Sequence, residues 1–186
     1  MKTHHVTLLA LGMTVFASSA HAQLVVLGES SAAQCYQYAL TGNKGTRTAL
    51  ETCTKAFDAL ISKRNQAATH VNRGLLYMRK GEEDKADADY LAALDIKPDL
   101  TQAYVNHGAS LIRQDKYDEA LEALNKALSF KDSSTRAEAL YNRAIAFDHK
   151  MNYKAAYFDL KEVLDIRPEW ELAIKLLSTY EVKPAG

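Results

Sequence analysis

The sequence predicts an all-α solenoid built from antiparallel helix pairs, and three observations lead to this fold class. Three stretches align with one another and begin at Ala67, Thr101 and Ala137, which are 34 and then 36 residues apart. A period in this range marks stacked helical units, none of which can bury its apolar face alone. In each unit a short break separates two runs of helical spacing, and Pro98 and Pro168 follow the first and third units. A proline disfavours helix in the residue before it, so these prolines mark ends of helices.

Small residues recur at the same two places in each unit, which predicts close contact between the paired helices. Glycine inside a helix costs about 1 kcal/mol relative to alanine, so its recurrence suggests that the partner helix approaches closely there. These places hold Gly74, Gly108 and Ala144 on the first helices, and Ala86, Ala120 and Ala156 on the second helices. The large residues expected to fill the space between the helices are Tyr77, Tyr90, Leu111, Leu124, Phe147 and Leu160.

The pattern of the first unit resembles the tetratricopeptide repeat. It reads Asn-x-Gly-x-x-Tyr from Asn72, continues through spaced alanines and an aromatic residue, and closes at Pro98. The resemblance covers roughly residues 67–168 and implies a right-handed superhelix that binds other proteins. It implies units at 67–100, 101–136 and 137–168. Asp132 stands where the second unit should have its proline, and a two-residue insertion nearby predicts a longer loop between the second and third units.

The N-terminal 22 residues have the features of a secretory signal peptide. A short basic start is followed by an apolar stretch at 6–17 and by an Ala-x-Ala motif ending at Ala22, so we expect cleavage before Gln23. The apolar stretch is shorter than the roughly 20 residues of a membrane span. The alternative is an N-terminal core helix. We therefore expect a periplasmic protein, or alternatively a secreted one, with a flexible segment at 23–30.

The charge balance argues against some classes of partner. The chain has 23 basic and 23 acidic residues, and loss of residues 1–22 would remove only Lys2, leaving 22 and 23. Nucleic acids and anionic membrane surfaces attract proteins with a basic surface. We therefore expect neither as a partner, and no integral membrane span.

Two cysteines flank a turn signal in a predicted helical hairpin at 31–66. Cys35 and Cys53 each lie nine residues from Lys44, so they would face each other across an antiparallel hairpin. In an exported chain this arrangement predicts a disulfide, which would contribute roughly 3 kcal/mol. Two unpaired buried thiols are the alternative, and a redox-active pair is disfavoured by the wide spacing. We interpret the hairpin as a degenerate repeat stapled by this bond.

The C-terminal segment at 169–186 is predicted to contain a capping helix and a frayed tail. Apolar residues recur at helical spacing from Trp170 to Tyr180, and a solenoid needs a terminal helix to cover its last unit. Trp170 is expected to pack against that unit, with a role as a ligand anchor as the alternative.

The sequence offers little support for catalysis. Beyond the signal peptide, His70, His107 and His149 fall in three different places of the repeat, and none has the spacing of a helical metal site. There is no glycine-rich phosphate loop and no nucleophile elbow. We expect no enzyme activity, no metal and no cofactor.

Two polar features recur between units and suggest structural roles. The first is an arginine and an aspartate that occur together or are replaced together, which predicts an ion pair between the two helices of a unit, because a lone buried partner is costly. The residues are Arg73 and Asp89 in the first unit, Arg143 and Asp159 in the third, and His107 and Ala123 in the middle. The second is an asparagine, present as Asn72, Asn106 and Asn142. We interpret it as a hydrogen bond between helices rather than as ligand recognition.

The resemblance implies that the inner face of the first helices binds the partner. The predicted groove consists of Val71, Leu75, Met78, Val105, Ile112, Tyr141 and Ile145, with Arg79 and Arg113 at its edge to hold an acidic group. Family members that grip a C-terminal carboxylate need basic residues at places that hold Ala68, Val71, Gln102 and Glu138 here, so that activity is not carried over. An exposed apolar groove usually marks a partner site. The alternative is that residues 23–27 or a second copy of the chain fills it.

The sequence therefore predicts a non-enzymatic scaffold or adaptor of the cell envelope that binds a peptide or protein partner in its groove. The alternative function is a self-associating structural component whose groove is a homodimer interface.

Overall fold

The computed structural model describes residues 30–41, 47–58, 62–131 and 134–180. The predicted signal peptide, most of the segment at 23–30 and the tail at 181–186 lie outside these residues. In the described part every regular element is helical, and none of its helices is both long enough and apolar enough to cross a membrane.

The described helices follow one another as antiparallel pairs. They are α1 (Ser31–Leu40), α2 (Arg47–Lys55), a short 3-10 helix (Ala56–Asp58), α3 (Lys63–Lys80), α4 (Glu83–Ile96), α5 (Thr101–Arg113), α6 (Tyr117–Ser129), α7 (Arg136–His149), α8 (Tyr153–Ile166) and α9 (Glu171–Leu177). The two helices of each pair, α3–α4, α5–α6 and α7–α8, pack against each other. Successive pairs pack against one another through α4–α5 and α6–α7. The predicted all-α solenoid is confirmed.

Local signals set the ends of the first long pair. The Ser62 Oγ accepts a hydrogen bond from the Asn65 N–H at 3.3 Å, so α3 begins at Lys63, earlier than the sequence pattern indicated. The helix ends at Gly81, which has a φ of 81°. This left-handed conformation favours glycine and lets the chain turn back into α4.

The recurring glycines bring paired helices into close contact. A Cβ atom added to Gly74 would lie 2.7 Å from the Tyr90 ring, and one added to Gly108 would lie 2.6 Å from Leu124 Cγ. Tyr90, Leu124 and the equivalent Leu160 are fully buried. The close approach that the sequence predicted therefore lets a large side chain of the second helix fill the space above each small residue.

The N-terminal hairpin carries the predicted disulfide. Cys35 on α1 and Cys53 on α2 are bonded, with their Cα atoms 4.7 Å apart, and neither residue is exposed. Around them pack Ala49 and Leu50 of the hairpin and Leu76 of α3. The disulfide thus lies in a small core that joins the hairpin to the first long helix.

The capping helix is short and covers the end of the last pair. Ala173 on α9 is fully buried in a cluster with Leu140, Ala144 and Leu160. Trp170 stacks on the Tyr141 ring with the ring centroids 4.9 Å apart. Trp170 therefore packs at the junction of α9 with the last unit.

Candidate binding groove

The first helix of each pair lies on the inner side of the stack. The helices α3, α5 and α7 contact their successors directly, whereas the second helices of successive units are held further apart. A solenoid curves toward the side on which successive helices lie closer together. The first helices α3, α5 and α7 therefore form its concave face. The helix α1 extends this face, since it packs directly on α3.

One pocket lies at the N-terminal end of the concave face, between α1 and α3. Its volume is about 260 Å³, and we call it the N-terminal pocket. Its lining residues are Ser30, Ala32, Ala33, Tyr36, Asn65, Ala68, Thr69 and Asn72. Three of these residues are alanines, whose short side chains leave space for a ligand, and Tyr36 is 49% exposed beside them.

A second pocket lies at the opposite end, between α7 and the capping helix. Its volume is about 320 Å³, and we call it the C-terminal pocket. Its lining residues are Tyr141, Ile145, Asp148, His149, Leu172, Lys175, Leu176 and Thr179. Leu172 is 57% exposed, although it is a large aliphatic residue on a helix. Four of these eight residues are apolar or aromatic, namely Tyr141, Ile145, Leu172 and Leu176, and the other four are polar or charged.

Two of the predicted groove residues do not line an open surface. Val71 is only 7% exposed and packs with Ala103 of the next unit, and Val105 is 2% exposed and packs with Ala139 of the unit after that. Both valines therefore fill the seams between successive first helices. Their placement in the open groove was wrong, because the helical pattern does not show how closely neighbouring first helices approach.

The remaining apolar residues of the predicted groove are half-buried. These are Leu75, Met78, Ile112, Tyr141 and Ile145. Of these, Tyr141 and Ile145 belong to the C-terminal pocket.

The two arginines at the groove edge have partners within the chain. Arg79 Nη1 donates to the Ala39 carbonyl at 2.7 Å, which ties α3 to the end of α1. Arg113 donates to Glu83 Oε1 from Nε at 2.8 Å and from Nη2 at 2.7 Å. An acidic ligand would have to compete with these contacts, which weakens the predicted role of the two arginines in ligand binding.

The recurring asparagines do not make the predicted hydrogen bond between helices within the part of the chain that the structure describes. In the described part of the chain, the side-chain amides of Asn72 and Asn142 make no hydrogen bond, and Asn106 Oδ1 accepts from Gln102 Nε2 on its own helix at 2.8 Å. The expected bond between helices is therefore not present among these residues. All three are half-buried, so their amides are within reach of a ligand on the concave face.

The arginine–aspartate pairs lie between the helices of their units. Arg73 donates to Asp89 through Nε at 2.8 Å and Nη2 at 2.7 Å, and Arg143 contacts Asp159 at the same two distances. His70 Nδ1 also lies 2.8 Å from Asp89 Oδ1, a contact that the sequence did not indicate. Burial alone would raise the pKa of Asp89, but hydrogen bonds from Arg73 and His70 outweigh it and hold that pKa below its usual range.

The histidines are not gathered into one site. His70 contacts Asp89, His149 stacks on Tyr117 with ring centroids 4.5 Å apart, and His107 Nε2 lies 3.9 Å from Asp87. Burial lowers the pKa of His107. Among the described residues, no group of three or more histidine, cysteine or acidic side chains could hold a metal ion.

Sequence reasoning missed the residues that shape the two pockets. Tyr36 was given no role from the sequence, and Leu172 was covered only as part of the apolar run from Trp170 to Tyr180. The available signal was positional: Leu172 stands at the same place in its helix as Gln102 and Glu138, both assigned to the concave face. Extending the repeat into the capping helix would have included it.

Comparisons with known proteins agree with this architecture. A family model for the tetratricopeptide repeat matches residues 67–100 and 101–133. Sperm-associated antigen 1 of Rattus norvegicus is 33% identical over 101 residues, which are 54% of this chain and 11% of that protein. The peroxisomal targeting signal receptor of Candida glabrata is 30% identical over 124 residues, which are 64% of this chain and 21% of that protein. The chain thus spans about a tenth to a fifth of the length of these curated relatives.

Solved structures share the fold at low identity. MamA from Desulfovibrio magneticus RS-1 superposes with a TM-score of 0.64 at 17% identity, covering 82% of this chain and 84% of that one. The second repeat domain of human RPAP3, solved in complex with the HSP70 peptide SGPTIEEVD, gives a TM-score of 0.60 at 20% identity, covering 66% of this chain and all of that one. The family model thus identifies tetratricopeptide repeats at residues 67–100 and 101–133, and the chain shares the fold of these solved solenoids.

Proposed function

We propose that this protein is a non-enzymatic interaction module that binds an extended segment of a partner protein along its concave face. The fold is typical of modules that hold other proteins. The RPAP3 domain, which has the same fold, was solved with a bound peptide, and this supports a peptide as the class of ligand.

The asparagine amides carry this proposal. Each amide has two donor hydrogens and one acceptor oxygen, and those of Asn72 and Asn142 are not used within the described chain. A peptide in an extended conformation presents unpaired N–H and C=O groups along its length. Amides repeated on successive first helices match this array, whatever the side chains of the peptide are.

Apolar side chains beside the amides add affinity. Leu75, Ile112 and Ile145 lie half-buried on the same face, and covering their exposed surface contributes roughly 25 cal/mol per Å². Recognition of a terminal carboxylate by a cluster of basic residues is not part of the proposal, because Ala68, Gln102 and Glu138 stand at those places.

We further propose that the protein acts in the cell envelope, in the periplasm or after secretion. The support is the signal-peptide pattern at 1–22 and the disulfide between Cys35 and Cys53, since disulfides persist in oxidising compartments. An antibody against the protein, applied to separated periplasmic, membrane, cytoplasmic and culture-medium fractions, tests this location.

The binding surface can be tested by photo-crosslinking in the cells that naturally make the protein. A photo-reactive residue at position 106, in the middle of the concave face, should give a crosslinked product that mass spectrometry identifies as a partner protein. The same residue at position 91 is the control, because Leu91 is 50% exposed on α4 and lines neither pocket.

Substitution of the apolar residues then separates binding from folding. Leu75→Glu combined with Ile112→Glu should abolish the crosslink from position 106 while the far-ultraviolet circular dichroism stays that of a helical protein. A crosslink that persists in this folded variant would place the partner elsewhere. A product consisting of two copies of the chain would favour the homodimer instead.

A further inference from the structure

The two pockets lie at the two ends of the concave face, each lined by both apolar and polar residues, and the half-buried Leu75 and Ile112 lie between them. The N-terminal pocket offers the half-exposed Tyr36 ring, and the C-terminal pocket offers the more exposed Leu172. Between them, the first helices present Asn106 and its bonded partner Gln102. A ligand that follows this face would bury apolar side chains at its two ends and use its backbone between them.

The helix packing gives the distance between the pockets. The N-terminal pocket lies between α1 and α3, and the C-terminal pocket lies between α7 and α9. Three helix-to-helix steps separate them along the inner layer, and packed helices lie roughly 8–10 Å apart, which gives about 24–30 Å. An extended chain advances about 3.3 Å per residue, so roughly seven to nine residues span the two pockets.

The charges of the concave face are mostly committed to contacts within the chain. Arg79 and Arg113 have the partners described above, Glu138 accepts a hydrogen bond from Arg167, and Asp148 accepts one from the Tyr180 hydroxyl. Lys175 is different, since it is exposed at the C-terminal pocket and its side-chain ammonium group makes no ion pair or hydrogen bond within the described residues. Its ammonium group is available to a carboxylate of the ligand.

We propose that the ligand is an extended peptide segment of a partner protein with two apolar side chains about seven to nine residues apart and an acidic residue beside one of them. One apolar side chain occupies the N-terminal pocket, and the other occupies the C-terminal pocket. The acidic residue lies next to the second and pairs with Lys175. This inference rests on the proposed function, because it specifies the ligand of the same groove.

Selection from a peptide library tests the spacing directly. Random 14-residue peptides displayed on phage are selected on the protein purified after expression of the full chain. The peptides that are enriched should share two apolar positions about seven to nine residues apart, with Asp or Glu next to one of them. The most enriched peptide, labelled with fluorescein, then serves as the probe for binding measured by fluorescence anisotropy.

Variants at the pockets test the placement of each end. Ala68→Glu in the N-terminal pocket and Leu172→Glu in the C-terminal pocket should each weaken binding of the probe at least tenfold. Lys175→Glu should weaken binding several-fold, but only for the probe that keeps its acidic residue. Leu91→Glu, outside both pockets, should leave the dissociation constant unchanged.

The outcomes separate this inference from the proposed function. Enriched peptides with one apolar position, or binding that is insensitive to Leu172→Glu, would refute the two-pocket ligand while leaving peptide binding intact. Failure to enrich any peptide would count against both proposals. A photo-reactive residue at position 68 that crosslinks to residues 23–27 of the same chain, or to a second copy, would show that the groove is filled by the protein itself and would overturn both.

Discussion

Removal of either Arg73 or Asp89 alone should lower the free energy of unfolding strongly, because it leaves the other charge of this buried ion pair without its partner. The Asp89 side chain is 5% exposed and that of Arg73 is 19% exposed. Arg73→Met would leave the buried carboxylate with His70 as its remaining side-chain partner. Asp89→Leu would leave the guanidinium with the Thr54 hydroxyl at 3.1 Å and the Phe57 ring, whose centroid is 4.8 Å away, but with no carboxylate. Stranding a buried charge in this way costs about 3–5 kcal/mol.

The double variant Arg73→Met with Asp89→Leu removes both charges together and should cost much less than the sum of the single changes. Replacement of a buried pair by apolar residues is often close to neutral, so the coupling energy should fall near the upper end of about 0.5–3 kcal/mol. The cycle requires four urea-unfolding curves followed by circular dichroism at 222 nm. Arg143 and Asp159, with the same bidentate geometry, should give a similar value.

The matched control is the pair of Arg113 and Glu83. It has comparable distances, but the Arg113 side chain is 51% exposed, and exposed pairs contribute about 0–1 kcal/mol. If the changes at Arg73 and Asp89 are additive, the recurrence of these residues reflects no energetic link between them. If the exposed pair couples as strongly as the buried one, burial is not the reason for the coupling.

Three further predictions concern other parts of the fold. First, the mass of the denatured, unreduced protein should increase by two hydrogens on reduction, and reduction should lower the free energy of unfolding by roughly 3 kcal/mol. Reaction of Cys35 or Cys53 with iodoacetamide before reduction would contradict the disulfide. Second, Gly108→Ala should destabilise the protein by up to about 2 kcal/mol in urea unfolding, because overpacking costs about 1–3 kcal/mol and the gain in helix propensity is only about 1 kcal/mol. In a Leu124→Ala background the same change should stabilise the protein. Equal effects in both backgrounds would show that the Leu124 side chain is not what the added methyl group contacts. Third, burial holds the pKa of His107 below its unfolded value, so the unfolded state binds the proton more readily and stability should decrease as the pH falls from 7 to 5. The variant His107→Gln should show a smaller decrease over the same range, and an unchanged pH profile would contradict this origin.

The fold was predictable because its signal repeats. Three aligned units give three independent observations of each small residue, each large apolar residue and each break between helices. The disulfide was predictable for a geometric reason, since Cys35 and Cys53 are equidistant from the turn of a hairpin. The start of α3 was predicted less well, because the capping hydroxyl of Ser62 lies outside the repeated pattern.

The candidate site was only partly predictable because burial there depends on neighbouring units. Helical spacing identifies the face of α3 on which Val71 and Leu75 lie, but not which of them contacts the next helix. In the structure Val71 is buried in the seam and Leu75 is only half-buried. The partners of Arg79 and Arg113 could not be predicted from the sequence either. Arg79 contacts the Ala39 carbonyl of the hairpin, and Arg113 contacts Glu83 of α4, and both partners are distant in sequence.

The middle unit explains why a single sequence could reveal the ion pairs at all. Its equivalent places hold His107 and Ala123, and His107 Nε2 lies 3.9 Å from Asp87 Oδ1 of the preceding unit. An arginine kept there without its aspartate, or an aspartate kept without its arginine, would be a partly buried charge without its partner on the paired helix. Replacing one partner alone is therefore costly, while replacing both is not. Joint replacement inside one chain therefore indicates which residues are paired, and it points to the same pairs that the structure brings to within 2.8 Å.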